Sequence, residues 1–235
     1  MGVVLQPDGR IVVAGFGNAT GTAQGAVLRF TADGRPDTGF DTNGQVLTSV
    51  DLRTQFADVA LQPDGRIVAT GVTADNVGGA DRIVVARYKA DGTLDTAFGS
   101  AGTGATDIGG VGNVGGSALS PDGKIVMAGN CIVGLSATMC VARFLADGAL
   151  DSSFGTSAGW TLPDVTNGGD IAKAIALQSD GKIVLAGVCT GFVSPTLADF
   201  CLVRLNADGT LDQTFNSTGK LIASFGGGAV DQGAS

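Results

Sequence analysis

Leu61-Gln62-Pro63-Asp64-Gly65-Arg66-Ile67-Val68-Ala69-Thr70-Gly71 joins one apolar run to another through Pro-Asp-Gly, and the same pattern returns at Leu5–Gly15, Leu119–Gly129 and Leu177–Gly187. Two apolar runs on either side of Asp-Gly predict an antiparallel hairpin, because glycine supplies the positive φ that a tight turn needs. The glycines that follow the aspartate, Gly9, Gly65, Gly123 and Gly181, lie 56, 58 and 58 residues apart. A fixed period of this size marks a propeller, a solenoid or an array, since one such unit cannot bury its apolar face alone. The 235 residues are therefore read as one domain of four repeats, approximately 1–57, 58–115, 116–173 and 174–235.

Outward from the hairpin, the third copy continues through a loop into Met139-Cys140-Val141-Ala142-Arg143-Phe144, a third strand. A second Asp-Gly turn, Ala146-Asp147-Gly148, leads past Phe154-Gly155 to a short fourth strand around Trp160-Thr161-Leu162. Four short antiparallel strands per unit are the content of a propeller blade, and a ring of blades removes the long exposed sheet edges of a flat array. The expected fold is an all-β, four-bladed propeller with one four-stranded antiparallel blade per repeat. Its first strand would be completed from both termini, Val3-Val4-Leu5 joining Ala229–Ser235.

Leu-Gln-Pro-Asp-Gly-Arg-Ile-Val followed by Ala-Asp-Gly-Thr-Leu-Asp-x-x-Phe-Gly resembles the bacterial delta-sixty repeat, over essentially the whole chain. The resemblance implies a β-propeller in a secreted or surface-associated bacterial protein, with a periplasmic location as a variant, and it implies no defined activity. The first copy departs from the pattern with Arg35-Pro36-Asp37 and Phe40-Asp41, which predicts a slightly different turn there.

Several residues recur in every copy. Asp8, Asp64, Asp122 and Asp180 occupy the first turn, and Asp33, Asp91, Asp147 and Asp208 the second. Asp37, Asp95, Asp151 and Asp212 follow four residues later, Arg29, Arg87, Arg143 and Arg204 recur on the third strand, and Phe40, Phe98, Phe154 and Phe215 beyond it. Calcium loops of the EF-hand type need alternate oxygen ligands and a closing glutamate, and the chain has no glutamate: all 22 acidic residues are aspartate. The structural expectation is that the first aspartate of each second-turn set makes the turn while the next pairs with the arginine.

In a blade, these Asp-Gly turns emerge on one face. The opposite face carries segments that differ in every copy: Phe16–Gln24, Thr73–Asp81, Cys131–Cys140 and Cys189–Cys201 within repeats, and Asp51–Asp58, Asp107–Gly116, Asp164–Lys173 and Phe225–Ser235 between them. Binding groups are usually carried on loops held by a rigid scaffold, so the candidate ligand-binding residues are Phe56, Asp58, Asp107, Asp164, Asp170, Phe192 and Asp231.

Aligned on the repeat, Cys131 matches Cys189 and Cys140 matches Cys201, each pair standing across one hairpin. Two disulfides, Cys131–Cys140 and Cys189–Cys201, are expected, in keeping with an oxidising compartment. Buried free thiols and a four-thiolate zinc site are the alternatives.

Composition narrows the function. A net charge of −8 disfavours nucleic acid and acidic membrane surfaces, which are bound through clustered Lys and Arg. The chain has no apolar run long enough to span a bilayer. No histidine is present, which removes the commonest general base and metal ligand. The chain is therefore expected not to be an enzyme. It is read as a non-catalytic recognition or scaffold and display module that meets a protein or polysaccharide partner through the variable face, as a single chain rather than a dimer. The alternative is a lectin-like propeller in which loop aspartates hold calcium, the only cofactor considered; a glycoside hydrolase using two aspartates is a remote third.

Overall fold

The structure, a computed structural model, describes residues 1–18, 21–74, 81–166, 168–190 and 198–223. Among them there is no helix, and no helix is long and apolar enough to cross a membrane. The first repeat supplies β1 (Gly2–Leu5), β2 (Ile11–Gly17), β3 (Gln24–Phe30) and β4 (Gln45–Thr48), and the second β5 (Arg53–Leu61), β6 (Ile67–Ala74) and β7 (Asp81–Tyr88). Next come β8 (Thr103–Leu119), β9 (Ile125–Val133), β10 (Ser136–Phe144) and β11 (Trp160–Thr161). The last repeat holds β12 (Asp170–Leu177), β13 (Ile183–Thr190), β14 (Ala198–Leu205) and β15 (Lys220–Ala223).

The Asp-Gly hairpins form as the sequence dictates. Gly9, Gly65, Gly123 and Gly181 all sit at φ between 83° and 85°. Each preceding aspartate bends back to accept the N–H two residues on, from Arg10 at 3.1 Å, Arg66 at 3.0 Å, Lys124 at 3.4 Å and Lys182 at 3.1 Å. That Asp-side-chain turn fixes the register, so Leu5 faces Ile11, Leu61 faces Ile67, Leu119 faces Ile125 and Leu177 faces Ile183.

The sheets are open and antiparallel, with orders β1-β2-β3-β4, β11-β10-β9-β8-β7-β6-β5 and β12-β13-β14-β15. The sheets depart from the expected blades in two ways. The second and third repeats do not form separate four-stranded sheets, because β8 runs for 17 residues without a break and serves both. The chain forms open sheets rather than a closed four-bladed ring, and the C-terminal partner of the expected shared first strand, Ala229–Ser235, lies outside the described residues.

The segments read as loops between repeats are largely strand. β5 begins at Arg53, β8 covers all of 107–116, and β12 begins at Asp170. Bulges hide this from the sequence: the register slips between Phe56 and Asp58, around Asn113, and between Ala172 and Ala174. A bulge inserts one residue and breaks the period-two alternation. It also explains the glycine that ends the recurring hairpin. A Cβ on Gly71, Gly129 or Gly187 would stand 2.0 Å from the carbonyl oxygen of Gln55, Asn113 or Ile171 on the bulged strand.

The chain divides into two compact units, residues 1–107 with 146–149, and residues 108–145 with 150–235. In the first, β5 packs on β1, β2 and β3, over a core that includes Val12, Val27, Phe40, Phe56, Ile67 and Tyr88. In the second, β12 packs on β9 and β10, over Val126, Met139, Phe154, Ile183, Leu185 and Val203.

Within each unit the repeats are joined in one way. The residue after the recurring phenylalanine donates its N–H to the aspartate carbonyl of the next repeat's second turn: Asp41 to Asp91 at 2.7 Å, Gly99 to Asp147 at 2.6 Å, Gly155 to Asp208 at 2.7 Å. The recurring arginine reaches the neighbouring carbonyl, Arg29 to Ala90, Arg87 to Ala146 and Arg143 to Ala207. The turn glycine lies flat on the phenylalanine ring. A Cβ on Gly92, Gly148 or Gly209 would approach Phe40, Phe98 or Phe154 to between 2.8 and 2.9 Å, closer than real side chains pack.

Candidate functional site

The Asp-Gly face is committed to structure. In every repeat the arginine Nε donates to the second aspartate, Arg29 to Asp37, Arg87 to Asp95 and Arg143 to Asp151 at 2.8 Å, and Arg204 to Asp212 at 2.7 Å. The guanidinium lies over the recurring ring, 4.5 Å from the centroids of Phe40, Phe98 and Phe154 and 4.8 Å from that of Phe215. A planar cation held between a carboxylate and a π-face is pre-organised; in the first three repeats a further N–H reaches the next repeat, and in the fourth Arg204 donates to the Thr214 hydroxyl at 3.2 Å.

On the variable face the candidate residues do not converge on one centre. Phe56 is only 2% exposed and belongs to the core, its ring edge-on to Tyr88 at 6.4 Å; the bulge that follows it turns it inward. Asp58 is half-buried beside that bulge, with its Oδ1 close against Gly2. Asp107 is exposed on β8. Phe192 and Asp231 lie outside the described residues. Asp164 and Asp170 come together, in the second unit.

Asp170 is fully buried. Its Oδ2 accepts the N–H of Val165 and of Thr166, both at 2.9 Å, and its Oδ1 accepts the Thr166 hydroxyl at 2.7 Å. In the second repeat Thr54 does the same work, its hydroxyl accepting the Val50 N–H at 3.0 Å. Asp170 thus caps the turn that enters its repeat. Asp164 is at the surface, yet its carboxyl titrates above the ordinary value of 3.8: partial desolvation raises it most, followed by the hydrogen bond and the charge of Asp170, while Lys220 pulls the other way. Asp164 is therefore the member of the pair that meets solvent, and Asp170 is sealed away from any substrate.

Asp164 borders an open cleft of about 300 Å³ lined also by Val133, Ser136, Thr138, Leu162 and Thr166, among others. One wall is the β9–β10 hairpin, which turns at Gly134-Leu135 and is held below its tip by the Cys131–Cys140 disulfide, Cα to Cα 5.7 Å. The tip offers apolar side chains to water: Leu135 is fully exposed, Val133 51% and Ile132 46%. At the cleft, the Thr138 hydroxyl is buried with no hydrogen-bond partner among the described residues. The sequence placed Thr138 and the apolar tip on the variable face, within Cys131–Cys140, but singled out none of these residues.

The matching pair, Cys189–Cys201, is also closed, at 5.9 Å between Cα atoms, and no described cysteine is free. Closing loops of 9 and 12 residues stabilises by about 2–3 kcal/mol each in the chain-entropy account. Serine at Cys189 and Cys201 should lower the urea-unfolding free energy by about that much, and a reductant should then act only through the remaining pair. Among the described residues no three His, Cys, Asp or Glu side chains gather where they could hold a metal. The calcium expectation rested partly on Asp231, outside those residues.

Residues 6–40, 62–98, 120–154 and 178–215 match the family model described as a domain of unknown function (DUF5122), beta-propeller. No curated protein matches the chain.

Proposed function

The chain belongs to the DUF5122 β-propeller family, and from that premise we propose that it is a non-catalytic recognition module whose working surface is the stapled β9–β10 hairpin and the cleft beside it. The observation that carries this reading is the exposure of Ile132, Val133 and Leu135 on a hairpin whose two strands are tied by a disulfide. Apolar side chains grouped at a rigid, solvent-facing tip cost solubility unless a partner covers them. Catalysis is disfavoured by the same cleft, because Asp170, which would have to share a two-carboxylate reaction with Asp164, is fully buried and spends both oxygens on its own turn.

The partner class that suits the tip is a protein or polymer segment with apolar groups. A small polyhydroxyl ligand is the second reading, favoured by the unpaired Thr138 hydroxyl and the exposed Asp164 in a cleft of about 300 Å³. The two disulfides suit an oxidising compartment, which supports export and, with it, the delta-sixty kinship and a bacterial surface or secreted setting.

Binding of the oxidised protein to displayed peptides and to a glycan array, with calcium and with chelator, separates the readings. Peptide binding abolished by Leu135→Asp supports the hairpin as a protein-docking tip. Glycan binding lost in Thr138→Val but retained in Leu135→Asp moves the function to the cleft. Saturable binding untouched by either change would remove the site from this face.

A further inference from the structure

The strand that ends each sheet is shorter in the third repeat. β4 pairs with β3 over four residues, from Gly25–Thr48 to Leu28–Gln45, and β15 with β14 over four, from Phe200–Ala223 to Val203–Lys220. β11 meets β10 at Val141 and Ala142 alone. The reason is in the sequence: Trp160-Thr161-Leu162 runs into Pro163, which has no N–H to give to a ladder. Past that point, among the described residues, no strand pairs with Ser136–Cys140 on the side away from β9.

β10 therefore keeps an unpaired length of edge, and the ladder fixes which groups it offers. β9 and β10 pair without a slip from Val133–Ser136 to Ile125–Phe144. Arg143 turns both its backbone groups outward, its N–H to the Gly159 carbonyl at 3.0 Å and its carbonyl to the Asp151 N–H at 2.9 Å. Backbone groups alternate sides along an antiparallel strand, so Val141, Met139 and Ala137 face outward as well. Val141 meets Thr161, and Met139 is buried in the core cluster on which Val165 packs. Ala137 is left at the cleft, which is lined by Ser136, Ala137 and Thr138 from β10 and by Leu162 and Thr166 from the chain around Pro163. Among the described residues no turn or loop carbonyl accepts the Ala137 N–H.

We infer that the partner enters this cleft as an extended peptide that adds a strand to β10, its backbone accepting the Ala137 N–H and an apolar side chain resting on Val133. This rests on the recognition reading above and says how the partner is held. A strand is the occupant that the chemistry favours. The N–H lies on a sheet edge that β11 abandons, and main-chain pairing at such an edge gives affinity. Val133, 51% exposed where it lines the cleft, supplies the apolar contact. A sugar bonds the same N–H but leaves the apolar tip in water.

The test uses the oxidised 235-residue chain and the tightest peptide selected from a displayed random library. In the free protein the Ala137 N–H should exchange fast, and the bound peptide should slow it. Methylating the peptide's backbone nitrogens one at a time should weaken binding about tenfold at the residue paired with Ala137, and little at its two neighbours. Ala137→Pro removes the outward N–H and spares the ladder to β9, so it should weaken the peptide about tenfold with the melting temperature unchanged. The methylated peptides read the same contact on unaltered protein, whatever the variant does to folding. Slow exchange of the Ala137 N–H in the free chain would sink the inference, because the edge would already be covered. Binding that ignores both changes yet is lost in Leu135→Asp sinks it too, while leaving the hairpin tip as a docking surface. Failure to select any peptide removes both.

Discussion

Replacing Asp95 with alanine should lower the unfolding free energy by about 3–5 kcal/mol, the usual cost of breaking a buried ion pair from one side. Its carboxylate is 6% exposed and accepts from Arg87 Nε at 2.8 Å, with Arg66 Nε pairing to the same oxygen at 3.1 Å. Removing it leaves the Arg87 guanidinium between the Phe98 ring and the Ala146 carbonyl without a counter-charge, so the joint to the next repeat should loosen as well. Asp64→Ala is the control. Asp64 pairs with Arg66 at the surface, with half its side chain in water, and exposed pairs are worth about 0–1 kcal/mol. Urea unfolding of the two variants beside the parent checks both; equal, small losses would mean that the clamp does not hold the repeats.

The same carboxylates set the acid limit. Asp37, Asp95, Asp151 and Asp212 are all held below the ordinary value of 3.8. At Asp212 the Thr214 hydroxyl is the largest influence, followed among the favourable ones by the Thr214 N–H and Arg204, and the carboxyl falls to about 2. At Asp95 burial is the largest single influence and works upward, but the hydrogen bond and charge of Arg87, the Ala97 N–H and the charge of Arg66 together outweigh it. Folded-state values below unfolded ones mean that the unfolded chain takes up protons first. The stabilisation is complete above about pH 4 and drains as pH falls toward about 2. Midpoints in urea at about pH 5 and about pH 3 should therefore differ for the parent, and differ less for Asp95→Ala.

Asp170→Ala should be as damaging, again by about 3–5 kcal/mol, because two backbone N–H groups and a hydroxyl lose their acceptor, at about 1–3 kcal/mol for each buried group left unpaired. Asn at 170 keeps one acceptor oxygen and should lose less. Thermal melts of the two variants test this order. Loss of ligand binding with unchanged melting would instead make Asp170 part of a binding site.

What the sequence disclosed, it disclosed through local geometry. Asp64-Gly65 needs only its own neighbours to form a turn, so four hairpins could be placed from spacing. The Arg87–Asp95 spacing repeats with the turn, and the aligned cysteines could be paired across a hairpin whose strands were already known. Phe56 and Asp170 were read as loop residues because the bulges at 56–58 and 172–174 interrupt the alternation that would have marked a strand with an inward face. The continuity of β8 was hidden for a related reason: Gly109, Gly110, Gly112, Gly115 and Gly116 read as a linker, whereas the structure runs them through one bulged strand. The cleft depends on where Thr138 ends up relative to Asp164, 26 positions on in sequence, a distance fixed by packing rather than by any local pattern.

The recognition account is tested most directly by selecting displayed peptides against the oxidised chain and mapping the tightest of them by hydrogen exchange. Slowed exchange over 131–138 and 162–166, with the Asp-Gly turns unchanged, is the predicted result. Protection confined to those turns, or absence of any selected binder, would contradict it.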